Sequence, residues 1–170
     1  MKSLLMFAAV CIVTFAAHSQ DDKSKRPSPP AKASGTTASG TAITIDYSQP
    51  SVKGRTIGKD LEPLPGKVWR TGANEATVFE VNKAVKVEGK ALAAGKYGLY
   101  SVANGDDWTI IFNKTWHQWG TEYSKADDAL RVNVKAGKAT PFAEKFTITV
   151  SKTGKVDLLW GGSDVSFKVE

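Results

Sequence analysis

The sequence predicts an all-β protein, an antiparallel β-sandwich of about eight to ten strands, on two observations. From Thr41 onward, apolar and polar residues alternate in short runs, which is the pattern of strands that bury one face. Glycine-containing turns such as Asn104-Gly105 separate the runs at spacings that favour hairpins. No stretch after Thr41 has a sustained helical period, and a closed β-barrel is the alternative architecture.

The strands follow one another along a single predicted domain that spans residues 41–170. The clearest alternating runs, in chain order, are 43–47, 85–87, 108–112, 130–134, 146–150 and 165–169. In each run the residues of one parity are apolar, so one face of the strand can join a common core. Trp69 and Trp160 are predicted to belong to that core.

The N-terminal residues read as a targeting segment followed by a linker. Lys2 precedes an apolar run at 4–17, and small residues end the segment, which is typical of a signal peptide over 1–19. The run is shorter than the roughly 20 residues that span a bilayer, so we expect export to the periplasm or beyond, without stable membrane insertion after cleavage. Residues 20–40 contain no large apolar side chain, and a disordered linker is expected there.

Composition limits the chemistry of the mature chain. Without residues 1–19 it has no cysteine and one histidine, His117, so disulfides and the usual zinc sites are not expected, and the sequence indicates no metal and no cofactor. The net charge of +6 is dispersed along the chain, which argues against nucleic acid as a partner. Nothing in the sequence indicates an oligomeric state.

Two long irregular segments, 50–74 and 114–123, interrupt the alternation, and loops of this length are often functional. The first ends in polar groups that suit an anionic or polar ligand, and the second is rich in aromatic rings that suit sugars. Two structural alternatives stay open: an Arg70–Glu75 ion pair that braces the loop, and tryptophans that cover one end of the core. The candidate ligand-binding residues are Arg55, Arg70, Asn74, Glu75, Thr77, His117, Trp119 and Tyr123.

These loops also carry a family resemblance. The runs YSQPSVKGRTIG, PLPGKVWRTGANEAT, ALAAGKYGLYSV and DWTIIFNKTWHQWGTEY resemble the domain of unknown function 2911 family over residues 41–170. The resemblance implies a small secreted β-rich domain of a type found mainly in Bacteroidetes-like bacteria. It implies no established activity.

Three functions remain open from the sequence. The first is an exported, non-catalytic module that binds a polar or anionic small molecule or a carbohydrate. The second is a metal-independent hydrolase or isomerase in which Glu75 is the acid/base and Arg70 stabilises negative charge. The third is a structural envelope protein. No nucleophile motif is present, so the sequence favours a binding protein over an enzyme.

Overall fold

The computed structural model describes residues 22–170, so the predicted signal peptide at 1–19 lies outside the described residues. This range contains ten β-strands, two short 3-10 turns (Lys23–Lys25 and Lys125–Asp127) and no α-helix. Within it, no helix has the length and apolarity needed to cross a bilayer. The strands are β1 (Pro30–Thr36), β2 (Ala42–Ser48), β3 (Val68–Trp69), β4 (Thr77–Val81), β5 (Val85–Val87), β6 (Lys90–Leu92), β7 (Gly95–Asn104), β8 (Asp107–Asn113), β9 (Asp128–Val150) and β10 (Lys155–Lys168).

The prediction of an antiparallel all-β fold is confirmed. The main sheet has the order β1-β2-β4-β7-β8-β9-β10, with β3 paired to β7, while β5 and β6 form a separate hairpin. Strand β9 changes partner along its length: residues 128–135 pair with β8 and residues 136–150 pair with β10. The sheet therefore curls into a half-barrel, and its inner faces enclose the core as the two layers of a sandwich do.

The core lies inside this curl and is rich in aromatic rings. Phe112 on β8 packs against Phe79 on β4 and Phe167 on β10, with ring centroids 4.9 and 5.7 Å apart. In the same core, the ring of Trp69 packs against that of Phe146, with centroids 5.0 Å apart. These side chains come from strands far apart in the sequence, so their burial holds the curled sheet closed.

A smaller apolar cluster lies on the opposite face of the main sheet. Ile111 and Tyr100 are fully buried there together with Ala76, although their neighbours along β7 and β8 point into the main core. Tyr123 covers this cluster, and its ring lies 5.0 Å from that of Tyr100. The second irregular segment is thus fixed to the outer face of the sheet by apolar contact.

Strand β1 corrects the expectation of a disordered linker over residues 20–40, of which the structure describes residues 22–40. Residues 30–36 pair antiparallel with β2 along their whole length. The absence of large apolar residues does not prevent this, because β1 fits into a narrow space beside the end of β9. A Cβ atom at Gly35 would lie only 2.8 Å from Cγ1 of Val150, so small residues are what this position accepts.

Candidate functional site

The two irregular segments meet beside the outer face of the sheet. The backbone of Ala76 donates to the carbonyl of Gln118 at 3.1 Å, and that of Gly120 donates to the carbonyl of Asn74 at 3.1 Å. Gly120 permits the contact because a Cβ atom there would lie 2.9 Å from the Asn74 carbonyl oxygen. The polar residues around Asn74 and those around Gly120 therefore lie in one region of the fold. They divide, however, between two separate concavities.

We call the first concavity the tryptophan groove; it is open to solvent and has a volume of about 450 Å³. Its floor comes from β2, β4 and the start of β1, and its rim comes from the second irregular segment. The lining residues are Lys23, Pro30, Asp46, Tyr47, Ser48, Glu75, Ala76, Val78, Trp116, His117, Gln118 and Trp119. Of the predicted site residues, Glu75, His117 and Trp119 are in this group.

The aromatic residues of the groove differ in how much surface they leave available. Trp116 has the ammonium of Lys96 over its ring at 5.2 Å and the His117 ring edge-on at 5.4 Å. Trp119 is 46% exposed, one of the few large apolar side chains at the surface of the described range. Its indole is therefore the ring that can accept a ligand without losing an existing partner.

Glu75 holds the N-terminal segment of the described range, residues 22–29, against the groove. Its carboxylate accepts hydrogen bonds from Lys23 Nζ at 2.8 Å and from Arg26 NH1 at 3.0 and 3.2 Å. The contact with Lys23, supported by Arg26, lowers the pKa of Glu75 from 4.5 to about 2. Glu75 is thus ionised at neutral pH, which suits an acceptor of hydrogen bonds and not a general acid.

The Arg70–Glu75 ion pair that the sequence left open is not formed. Arg70 instead donates from NH1 to the carbonyl of Asn74 at 2.9 Å, and its aliphatic stem packs over Gly120. Arg70 lines the second concavity, the arginine cavity, which has a volume of about 210 Å³. The lining residues are Glu62, Val68, Trp69, Arg70, Gly120, Thr121 and Tyr123.

The remaining predicted residues have structural partners. Thr77 is fully buried and donates to the carbonyl of Thr71 at 2.7 Å, while Asn74 donates to the carbonyl of Ser28 at 3.0 Å. Arg55 donates to carbonyls of its own loop, from NH2 to Ser51 at 2.7 Å, and lines neither concavity. Of these two predicted arginines, therefore, only Arg70 lines a concavity.

Tyr123 belongs to a hydrogen-bonded group beside the arginine cavity. Its hydroxyl donates to Asp128 Oδ2 at 2.7 Å and accepts from Arg131 NH2 at 3.2 Å. Burial, reinforced by the bond to Asp128, raises the pKa of Tyr123, so the phenol stays neutral. This group fixes the wall of the cavity and leaves the Tyr123 hydroxyl fully engaged.

Sequence reasoning missed several lining residues. Lys23 lay in the expected linker, Asp46 is one of the polar positions of β2, and Glu62 is one of many charged loop residues. None carries a local motif, and only the pairing of distant segments brings them to the concavities. Within residues 22–170, no group of three or more histidine, cysteine, aspartate or glutamate side chains is placed to hold a metal ion.

The fold and site define a β-rich domain whose two irregular loops meet between two surface concavities. Residues 28–169 match the family described as "Protein of unknown function (DUF2911)", and the chain belongs to this family. The match includes β1, which the resemblance noted from the sequence did not cover. No curated protein and no solved structure matches the chain.

The Glu75 contact predicts a specific dependence of stability on pH. Because the folded-state pKa of about 2 lies below the ordinary 4.5, the ionised carboxylate stabilises the fold above pH 4.5, and this stabilisation is lost as the pH falls towards 2. Glu75→Gln is therefore expected to lower the free energy of unfolding at pH 7 and to match the wild type near pH 2. The effect should be less than about 1 kcal/mol, since the pair is partly exposed.

Urea denaturation at several pH values measures this difference. Glu122→Gln is a matched control, since Glu122 lies in the neighbouring loop and forms no ion pair within the described part of the chain. A Glu75→Gln deficit that stays constant from pH 7 to pH 2 would contradict the assigned role of the Lys23 and Arg26 contacts.

Proposed function

We propose that this protein is an exported, non-catalytic binding module whose tryptophan groove takes a carbohydrate or a similar neutral polyol. The exported location depends on the signal peptide that residues 1–19 predict. The observation that supports binding is the exposed Trp119 at the rim of an open groove. A solvent-exposed indole beside a groove that also contains carboxylate and amide groups is an arrangement that sugar rings use, with their apolar face on the aromatic ring.

The polar groups of the groove favour a neutral ligand over an anion. Glu75 and Asp46 both line it, and each is paired with a lysine: Glu75 with Lys23, and Asp46 with Lys32 at 3.0 Å. Carboxylates fixed in this way can accept hydrogen bonds from hydroxyl groups. Because a cation accompanies each carboxylate, the pairs leave little net charge to attract a phosphate or carboxylate, so the anionic ligand that the sequence left open fits this groove less well than a neutral one.

The two alternative functions fit the geometry less well. An enzyme that uses Glu75 as acid/base needs a carboxyl group with a pKa near the working pH, whereas the pKa of Glu75 is about 2. Arg70, its intended partner, bonds to the Asn74 carbonyl and faces the other concavity. A purely structural role agrees with the saturated loop contacts but gives no reason for an exposed Trp119 beside an open groove.

Titration of the purified protein with neutral oligosaccharides tests this function. Thermal-shift screening of cello-, malto- and chito-oligosaccharides identifies a ligand by its stabilising effect, and calorimetry then measures its affinity. Trp119→Ala is expected to weaken binding by about tenfold or more while leaving the fold intact, since the indole is exposed.

Phe142→Ala is the matched control, because it removes another aromatic ring, 58% exposed, that lies on β9 and does not line the groove. Unchanged affinity in Trp119→Ala would remove the groove from the proposal. Failure of every oligosaccharide to bind the wild type would favour the structural role.

A further inference from the structure

The arginine cavity presents one positive and one negative side chain that do not pair with each other. Arg70 and Glu62 both line it, yet among the described residues neither forms an ion pair with any partner. Opposite charges that share a small concavity without meeting leave a gap that a ligand with both charges could fill.

The side chain of Arg70 is fixed in position before any ligand binds. One nitrogen, NH1, donates to the Asn74 carbonyl, and the stem is packed over Gly120, so the guanidinium has little freedom left to lose on binding. Its other N–H groups have no hydrogen-bond partner within the described range. These are the donors that bind a carboxylate through two parallel hydrogen bonds.

Glu62, which also lines the cavity, is fixed in a similar way. Its Oε2 accepts a hydrogen bond from the backbone N–H of Leu64 at 2.9 Å, and its backbone carbonyl accepts from Trp160 Nε1 at 2.8 Å. The second carboxylate oxygen, Oε1, accepts no hydrogen bond from residues 22–170 and is available to an ammonium group.

The rest of the wall sets the size and polarity of the ligand. Val68, 36% exposed, and the almost wholly buried Trp69 are the apolar residues of the lining, and Gly120 and Thr121 come from the second irregular segment. A volume of about 210 Å³ admits a molecule of a few heavy atoms and excludes a folded partner or a long chain. A simple anion would meet the charge of Glu62, and a simple cation would meet that of Arg70.

We propose that the arginine cavity is a second binding site, for a small zwitterion of the α-amino acid class. The ligand carboxylate bonds to the free N–H groups of Arg70, its ammonium donates to Glu62, and its side chain lies along Val68 and Trp69. This site is separate from the tryptophan groove and does not depend on the function proposed for it.

Calorimetric titration with three related probes tests the proposal on the unaltered protein. L-Alanine is expected to bind, whereas N-acetyl-L-alanine, which lacks the ammonium, and L-alaninamide, which lacks the carboxylate, should each bind about tenfold more weakly or worse. Equal affinity for L-alanine and either derivative would overturn the zwitterion assignment, as would no binding of L-alanine at millimolar concentration.

Matched pairs of variants locate the site. Glu62→Gln should weaken L-alanine binding about tenfold without weakening that of N-acetyl-L-alanine, whose lone carboxylate loses a repelling neighbour, whereas Glu144→Gln should change neither. Glu144 is a suitable control because it also accepts a loop N–H, that of Lys53 at 2.7 Å, outside the cavity. Unaltered L-alanine affinity in Glu62→Gln would overturn the site.

Arg70→Lys preserves the charge but removes the planar fork, so L-alanine binding should again weaken about tenfold. Arg55→Lys is its control, since Arg55 likewise bonds only to carbonyls of its own loop. Trp119→Ala should leave L-alanine binding unchanged, which separates a failure at this site from a failure at the tryptophan groove. An L-alanine affinity that falls in Trp119→Ala and stays constant in Arg70→Lys would place the amino acid elsewhere.

Discussion

Phe112→Ala is expected to lower the free energy of unfolding by about 3–5 kcal/mol, the range that truncation of a fully buried phenylalanine usually gives. Phe112 has no exposed surface, and its ring packs edge-on against Phe79 at 4.9 Å and Phe167 at 5.7 Å. It therefore joins β8 to strands on both sides of the curled sheet. Its removal leaves a cavity where the neighbouring rings cannot easily collapse.

Urea denaturation followed by circular dichroism measures this effect. Phe142→Ala is the control, because the same atoms are removed from a ring that is 58% exposed, and a loss below about 1 kcal/mol is expected there. A similar loss in both variants would mean that the Phe79–Phe112–Phe167 cluster does not hold the sheet closed.

The fold class could be predicted from the sequence because strands with one buried face impose a period of two. In the predicted strand at 108–112, Trp108, Ile110 and Phe112 are buried in the core as expected. The same rule fails for Ile111, which was expected on a polar face and is fully buried in the outer cluster beneath Tyr123. When a loop folds back over the outer face of a sheet, apolar residues on that outer face are buried as well. The alternation of residues along one strand does not indicate whether such a loop is present.

Strand β1 was missed for a related reason. Sequence reasoning required a large apolar residue to offset the cost of ordering the chain. In the structure Ala33 is buried and Gly35 lies against Val150, so close packing of small residues and pairing with β2 are sufficient. Whether a small residue meets a neighbouring strand depends on the curl of the whole sheet, which local composition does not describe.

Sequence reasoning identified the two loops of the candidate site but not which of their residues pair with one another. The two irregular segments that the sequence singled out meet beside the bridge between Glu75 and Trp119. The partner of Glu75, however, is Lys23 from the N-terminal segment and not Arg70, which is five residues away. Nearness in sequence favoured the Arg70–Glu75 pair, but the bridge between Glu75 and Trp119 directs the two side chains to different concavities.

Gly120→Ala is expected to destabilise the protein by about 1–3 kcal/mol and to weaken ligand binding in both concavities. A Cβ atom at Gly120 would overlap Cδ of Arg70 and would lie 2.8 Å from Cβ of Arg70 and 2.9 Å from the Asn74 carbonyl oxygen. The Arg70 stem can move, but the Asn74 backbone is held by its own hydrogen bond to Gly120. The methyl group must therefore push the two loops apart, displacing Arg70 on one side and Trp119 on the other.

Gly162→Ala is the matched control, since a Cβ atom there meets no other atom within 4 Å, and its stability should change by less than about 1 kcal/mol. Urea denaturation gives the stability of both variants, and calorimetry with L-alanine and the best oligosaccharide gives the binding. Because one contact supports both concavities, the two affinities should fall together in Gly120→Ala. Loss of stability without loss of either affinity would show that the loop contact braces the fold and does not position the ligand-binding residues.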